Sequence, residues 1–178
     1  MYESIGSILK KQKIKIECGL TEIEILNAER RYGVAFPIPL RILLKEFLPI
    51  DEGFYNWRDD SDKNVAHVLQ HLNWPKDSVL QNLDEISWSN NWGAKPRKKE
   101  QEQDEIIKRL QQAPQMIPVY RHRFIPAVEG SPPVFSIYGW DIIYYGETLF
   151  DYFLMEFGKK EQRTGNSIQR VPFWSDIM

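Results

Sequence analysis

The three histidines of this sequence are its side chains best suited to acid–base or metal chemistry. His67 and His71 lie four residues apart, so a helix would carry them on one face, as it carries a pair of metal ligands. The residues between them are Val68, Leu69 and Gln70, so the pattern lacks the glutamate that serves as the general base of an HExxH motif. We therefore interpret the two residues as surface histidines, and we predict no metal and no cofactor.

The remaining histidine lies in the segment Arg121-His122-Arg123. On a strand, Arg121 and Arg123 would point to one face and His122 to the other. Two arginines side by side can hold a carboxylate or a phosphate through parallel hydrogen bonds, so both are candidate contacts to a partner. Catalysis would instead require His122 to act as a base beside a carboxylate such as Asp141, and no motif fixes that pair. A hydrolase that uses His122 is kept as an alternative, behind binding.

A dense group of aromatic residues occupies positions 53–59, with the sequence GFYNWRD. Tyr, Trp and Arg side chains dominate the hot spots of protein interfaces, because each buries a large area and keeps a polar group. The same aromatic rings could instead cover the core, and the sequence leaves both interpretations open. A tryptophan at the bend between two predicted strands has the same two interpretations. The candidate partner-binding residues are Phe54, Tyr55, Trp57, Arg58, Arg121, Arg123 and Trp140.

The composition is typical of a single intracellular domain. The chain has 178 residues, which is the usual size of one domain, and we predict that residues 1–178 form it. The net charge of −2 provides no electrostatic attraction to nucleic acid or to an anionic membrane. Cys18 is the only cysteine, so no intramolecular disulfide can form. Since no segment has the apolar run of a signal peptide or of a membrane span, we predict a cytoplasmic protein.

The sharpest local signal is a helix that begins after Thr21. The Thr21 side chain can cap the helix, and Glu24 lies three residues further on, where its carboxylate can return to the Thr21 amide. Leu20 and Ile25 occupy the positions of a hydrophobic staple. Gly33 can adopt the left-handed conformation that ends helices. These residues predict a helix that starts after Thr21 and stops at Gly33.

Four further helices and one strand are predicted before residue 115. Each helix has apolar residues at the spacing of one buried face, and prolines mark several of the ends. Phe47 lies on the apolar face of the second of these helices, and Pro75 lies beyond the end of the third. The fourth is charged with a narrow apolar stripe, which is typical of a solvated surface helix. The helices cover residues 3–13, 39–48, 62–72 and 95–112, and the strand lies near residues 79–83 or 85–88.

The second half of the chain changes to the spacing of β-strands. Runs rich in Val, Ile, Tyr and Phe cover residues 116–122, 134–138 and 141–145, which predicts a three-stranded antiparallel meander. Thr148 can cap a final helix that packs on the sheet. Residues 158–178 form a polar tail that docks through residues 171–174. Helices, then a meander, then a helix indicate an α+β fold. The side chains of the final helix that face the sheet are Leu149, Tyr152, Phe153 and Phe157.

Two stretches of the sequence carry a family resemblance. In the first, Leu20-Thr21 opens a helix, Glu29 falls near its end, and residues 32–37, YGVAFP, lead into the next helix. In the second, residues 141–149, DIIYYGETL, are followed by Tyr152-Phe153. Together they resemble the SUKH superfamily, and in particular its bacterial Smi/Knr-like members. The resemblance to their longer form extends through residues 53–58, 117–123 and 172–176.

The resemblance implies a fold and a function. The expected fold is a twisted, mainly antiparallel sheet covered by N-terminal and C-terminal helices. The expected activity is protein binding without catalysis, because many bacterial members are immunity proteins that neutralise polymorphic toxins by direct contact. The alternative is an intracellular regulator or scaffold of the Smi/Knr cell-wall type. In either case the partner is a protein, and the sequence leaves the oligomeric state open.

Overall fold

Helices precede and follow a central sheet in this computed structural model, which describes residues 2–158 and 168–178. Residues 159–167, which belong to the predicted tail, lie outside the described residues. The predicted α+β fold is confirmed. The α-helices are α1 (Tyr2–Lys11), α2 (Glu22–Tyr32), α3 (Ile38–Glu46), α4 (Asp62–Gln81), α5 (Lys99–Gln112) and α6 (Leu149–Glu156). The strands are β1 (Ile16–Cys18), β2 (Phe47–Pro49), β3 (Met116–Tyr120), β4 (Arg123–Pro126), β5 (Val134–Tyr138) and β6 (Asp141–Gly146).

The α2 helix has the start and the end that its sequence predicts. The Glu24 N–H donates to the Thr21 hydroxyl oxygen over 3.2 Å, and the Thr21 N–H donates to the Glu24 carboxylate over 2.7 Å. These reciprocal bonds form a capping box. At the other end, Gly33 adopts a left-handed φ of 63°. Leu20 and Ile25 are both buried beside the cap, as expected for a staple.

A short two-stranded sheet next to α3 was not predicted. The α3 helix ends at Glu46, and Phe47 begins β2, which pairs antiparallel with β1. Phe47 is buried, as predicted, but it lies in a strand and not in the predicted helix. Gly19 lets the chain leave β1 against the end of α3, because a Cβ atom there would lie 1.8 Å from the Lys45 carbonyl oxygen.

The α4 helix is longer than predicted, and this is a correction. The helix continues through Pro75 to Gln81, and residues 79–88 contain no strand but a helix end followed by a 3-10 turn, Leu83–Glu85. A proline inside a helix costs about 3 kcal/mol, because it removes one hydrogen bond and crowds the preceding turn. Pro75 and Val79 are buried, and their burial offsets that cost.

The central sheet has four strands rather than the three predicted. The predicted strand 116–122 corresponds to β3 followed by a tight turn at Arg121 and His122, where Arg121 has a positive φ of 47°. The strand after this turn, β4, was not predicted. The strands follow one another antiparallel in the order β3-β4-β5-β6. The expectation that Arg121 and Arg123 share one face of a single strand is therefore wrong, because only Arg123 lies in a strand.

Each face of this sheet packs against a separate apolar core. Side chains alternate between the faces along a strand, so neighbours such as Ile117 and Met116, or Ile125 and Phe124, belong to different cores. The first core contains side chains of α1, α2, α3 and α6 together with Val68 of α4. The second contains side chains of α5, the end of α4 and the tail. The expected cover of helices from both ends of the chain is present on the first face.

The described part of the tail docks on the second face, as predicted. Val171, Phe173 and Trp174 are buried, and the Trp174 Nε1–H donates to the Pro114 carbonyl oxygen over 2.8 Å. The Tyr144 hydroxyl bonds Ser175 Oγ over 2.7 Å, which ties the tail to β6. The tail therefore forms part of the second core.

Replacing Trp174 by alanine tests the role of the tail. Trp174 is 0% exposed, so we expect Trp174→Ala to lower the free energy of unfolding by about 3–5 kcal/mol, as in other large-to-small core changes. Trp140, 55% exposed, is the matched control, and Trp140→Ala should change stability by no more than about 0.5 kcal/mol. Urea unfolding monitored by circular dichroism measures both, and equal effects would contradict the prediction.

Candidate functional site

A cleft of about 420 Å³ brings all three histidines together. Two of them come from α4 and the third from the β3–β4 turn, so they belong to parts of the chain that the sequence does not connect. The remaining walls come from the loop after β2, from β4 and from the end of β5. We call this the histidine cleft. Its lining residues are Glu52, Gly53, Tyr55, His67, His71, Trp74, Arg121, His122, Phe124 and Tyr138.

Aromatic rings form one wall of the histidine cleft. His67, His71 and Trp74 follow the i, i+4, i+7 spacing along α4 and so share one face of that helix. The imidazole centroids of His67 and His71 are 4.4 Å apart. Tyr55 stacks on His67 at 5.6 Å, and Trp74 lies parallel to His71 at 6.3 Å. Because Trp74 lies beyond the predicted helix end, this wall exists only because α4 continues.

The hydrogen bond of His71 determines its tautomer. His71 Nδ1 lies 2.9 Å from the His67 carbonyl oxygen, and a carbonyl can only accept, so Nδ1 carries the proton. In the neutral ring, Nε2 then has a free lone pair. Burial, and then the positive charge of His71, lower the pKa of His67. Burial also lowers the pKa of His122, followed by the charges of Arg123 and Arg121. The imidazoles of His67 and His122 therefore favour the neutral form.

Arg121 is held at the cleft by its backbone. Its N–H donates to the Gly53 carbonyl oxygen over 2.7 Å, and its own carbonyl accepts the Tyr55 hydroxyl over 2.6 Å. Gly53 is required here, since a Cβ atom would lie 2.7 Å from the Tyr120 ring and 3.0 Å from Arg121 Cγ. The guanidinium lies 5.2 Å from the Tyr120 ring centroid. Among the described residues, no carboxylate forms an ion pair with it.

The aromatic residues of the loop 53–59 cover the core. Phe54, Tyr55 and Trp57 are all buried, and Trp57 makes edge contacts with Tyr32 and Phe36 at 5.6 and 4.8 Å. Of the two interpretations left open by the sequence, the structure has these three rings in the core. Tyr55 alone also reaches the histidine cleft, and its burial raises the pKa of its hydroxyl.

Arg58 joins the loop to the first helices through ion pairs. Its Nε donates to Glu24 over 2.6 Å and its Nη1 donates to Glu17 over 2.9 Å. Its Nη2 donates to the carbonyl oxygens of Cys18 and Gly19, both over 3.1 Å. The guanidinium is therefore occupied by this chain, although the residue was predicted to contact a partner.

Arg123 is likewise bound within the fold. Its guanidinium lies 3.8 Å from the Tyr145 ring centroid, and Nη1 donates to Ser136 Oγ over 2.9 Å. Glu156 of α6 lies 3.5 Å from its Nε. Arg123 thus connects β4, β5 and α6, and the structure does not bring it to the histidine cleft with Arg121.

Trp140 lies on an exposed hairpin beside the histidine cleft. Trp140 is 55% exposed at the tip of the β5–β6 hairpin, and Tyr138, two residues before it, is 67% exposed. The Tyr138 ring meets the His122 ring edge to face at 5.7 Å. Tyr138 and Trp74 were not predicted as site residues, and His122 was considered apart from the pair His67 and His71. No local signal connects this pair with His122 and Tyr138, because only the tertiary fold brings them together.

Among the described residues, neither a metal-binding cluster nor a carboxylate bonded to His122 is found. No cluster of three or more His, Cys, Asp or Glu side chains there has a metal-binding arrangement. No hydrogen bond within this part of the chain joins His122 to Asp141 or to another carboxylate. A histidine base is normally oriented by such a partner.

No family model, curated protein or solved structure matches the chain. In the described part of the chain, no helix has the length and apolar character that crossing a membrane requires.

Removing Arg58 should raise the pKa of Glu24. The Arg58 hydrogen bond, and then the bond from the Thr21 N–H, lower this pKa from 4.5 to about 2. The resulting stabilisation is present above pH 4.5 and is lost as the pH falls towards 2. In Arg58→Met we expect a higher Glu24 pKa and a smaller loss of stability between these pH values. NMR titration and urea unfolding measure the two quantities. Arg97→Met, at an exposed arginine, should leave both unchanged.

Replacing Arg121 should raise the pKa of His122. Arg121→Gln removes one of the two positive charges that disfavour the imidazolium, while the effects of burial and Arg123 remain. NMR titration of the imidazole Cε1–H resonances measures the change. The pKa of His67 is the internal control, since Arg121 is not among its causes. An unchanged or lower His122 pKa would show that the charge of Arg121 does not lower this pKa.

Proposed function

We propose that this chain is a non-catalytic protein-binding module. Its recognition surface consists of Arg121, His122, Tyr138, Trp140 and Ile143. Tyr, Trp and Arg are the residues that contribute most to interface hot spots. The single observation that carries the proposal is that Tyr138 and Trp140 are exposed on one hairpin, and that Tyr138 lines a cleft that also contains Arg121.

The hairpin is suited to recognition because its backbone is held in place. β5 and β6 pair along their whole length, from Val134 with Gly146 to Tyr138 with Asp141. Large aromatic side chains on a rigid backbone lose little conformational entropy on binding. Ile143, on the neighbouring strand, adds a further exposed apolar side chain. Exposed apolar and aromatic side chains on one hairpin are typical of a protein contact.

The surroundings of His122 in the described residues support binding rather than catalysis. In the described residues, no carboxylate orients the His122 ring, and the Tyr55 hydroxyl is already bonded to the Arg121 carbonyl. A hydrolase would need a base, an orienting group and a means of stabilising negative charge in one place. Arg121 could supply only the last of these.

We further propose, from the resemblance to the SUKH superfamily, that the partner is a toxin and that this chain is its immunity protein. In the first of the two resembling stretches, Glu29 has a defined place in this fold. Glu29 accepts the Phe36 N–H over 2.8 Å and two bonds from Arg41 Nη1 over 2.9 and 2.8 Å, which joins α2 to α3. A structural role for this glutamate is compatible with a family signature. A regulator or scaffold of the Smi/Knr type is the alternative.

Co-expression with the product of a neighbouring toxin gene tests the proposal. We expect the wild-type chain to bind that product and restore growth. Trp140→Ala should weaken binding about tenfold or more, because loss of a hot-spot tryptophan costs more than about 1.4 kcal/mol. Ile23→Ala, at a 71% exposed position on α2 outside the recognition surface, should have no effect. Titration calorimetry and growth assays measure the two results.

Four outcomes would contradict parts of the proposal. Failure to bind or rescue against any neighbouring gene product would contradict the immunity role. Several partners of similar affinity would favour a scaffold instead. A larger effect of Ile23→Ala than of Trp140→Ala would show that the recognition surface is wrongly assigned. A turnover that is lost in folded His122→Ala would contradict the absence of catalysis.

A further inference from the structure

The size and walls of the histidine cleft fit a small planar molecule. Its volume of about 420 Å³ lies in the range of small-molecule sites, which is about 300–1,000 Å³. Aromatic or imidazole rings supply most of its lining. The stacked pairs Tyr55–His67 and His71–Trp74 have interplanar angles of 19° and 10°. A ligand ring can pack on such walls by stacking or by edge contacts.

Arg121 supplies a cation at the cleft from a backbone that is held in place before any ligand binds. Its backbone is fixed by Gly53 and by the Tyr55 hydroxyl, in a left-handed conformation that few non-glycine residues adopt. Strained residues of this kind concentrate at functional sites. The guanidinium carbon lies 5.2 Å from the Tyr120 ring centroid, and the guanidinium N–H groups have no carboxylate partner among the described residues. Those N–H groups match the oxygens of a carboxylate or a phosphate.

The other polar groups of the cleft also favour an anion. His71 has one ring nitrogen bonded to the His67 carbonyl, and its second nitrogen is left for a ligand. His122 lies next to Arg121 in the same turn. A bound anion favours the imidazolium form, which has two N–H donors. Glu52 is the one carboxylate among the residues that line the cleft. Glu52 and Arg121 are both exposed, so solvent and salt screen both charges.

We infer that the histidine cleft is a binding site for a small aromatic ring that carries an anionic oxygen group, a phosphate or a carboxylate. Arg121 binds the anionic group, and the rings of His71, Trp74 and Tyr138 contact the aromatic part. This site shares Arg121, His122 and Tyr138 with the recognition surface proposed above, but binding of a small ligand there requires no partner protein.

Titration of the full chain with four probes tests the inference. The probes are phenyl phosphate, benzoate, inorganic phosphate and phenol, measured by calorimetry and by NMR of the histidine Cε1–H resonances. We expect at least one of the aryl anions to bind about tenfold more tightly than both inorganic phosphate and phenol, since only the aryl anions use ring and charge together. Phenyl phosphate and benzoate distinguish the two kinds of anionic group. Shifts should be largest at His71 and His122.

Matched variants locate the anion contact. Arg121→Gln should weaken binding of the preferred aryl anion about tenfold or more, the usual effect of losing a charge-assisted hydrogen bond. Arg97→Gln, an exposed arginine outside the cleft, should bind as the wild type does. Equal affinities of the two variants would overturn the inference. The inference would also be overturned if neither aryl anion bound more tightly than inorganic phosphate and phenol. NMR shifts confined to residues outside the cleft would overturn it as well.

Discussion

Adjacent residues of the central sheet are buried on opposite faces, and both faces must therefore be covered. Met116 and Ile117, like Phe124 and Ile125, are completely buried although their side chains point in opposite directions. No single layer of helices can cover two faces of a sheet. The N-terminal helices and α6 cover one face, and α5, the end of α4 and the tail cover the other. The continuation of α4 past Pro75 and the docking of the tail both follow from this requirement.

The histidine cleft forms where the layers of the fold meet at one end of the sheet. The loop after β2 packs its aromatic rings into the first core, and this brings Tyr55 and Gly53 against the β3–β4 turn. The same turn presents Arg121 and His122 beside α4. Two backbone-directed hydrogen bonds thus connect core packing to the geometry of the cleft. Side chains so constrained are better suited to recognition than residues on a free loop.

The sequence patterns predicted the elements that are stabilised by residues close to one another along the chain. The capping box of α2, the Thr148 cap of α6 and the strands β5 and β6 were predicted correctly. The continuation of α4 through Pro75, the turn at Arg121 and His122, and the strand β4 were not, because distant packing decided them. The cleft could not be predicted either, since positions 55, 71, 122 and 138 meet only in the folded chain. The burial of Trp57 could not be predicted either, because an aromatic side chain suits a protein interface and a core equally well.

The docked tail also has a consequence for how the chain folds during its synthesis. Ile177 and Trp174 complete the second core, yet they are among the last of these residues to leave the ribosome. Until then Phe135, Ile137 and Ile142 lack part of their apolar cover, and a nascent chain in that state exposes surface that chaperones and other unfolded chains can bind. The first core has no such delay beyond α6. The two halves of the domain are therefore expected to form in sequence on the ribosome, with the sheet half-covered in between.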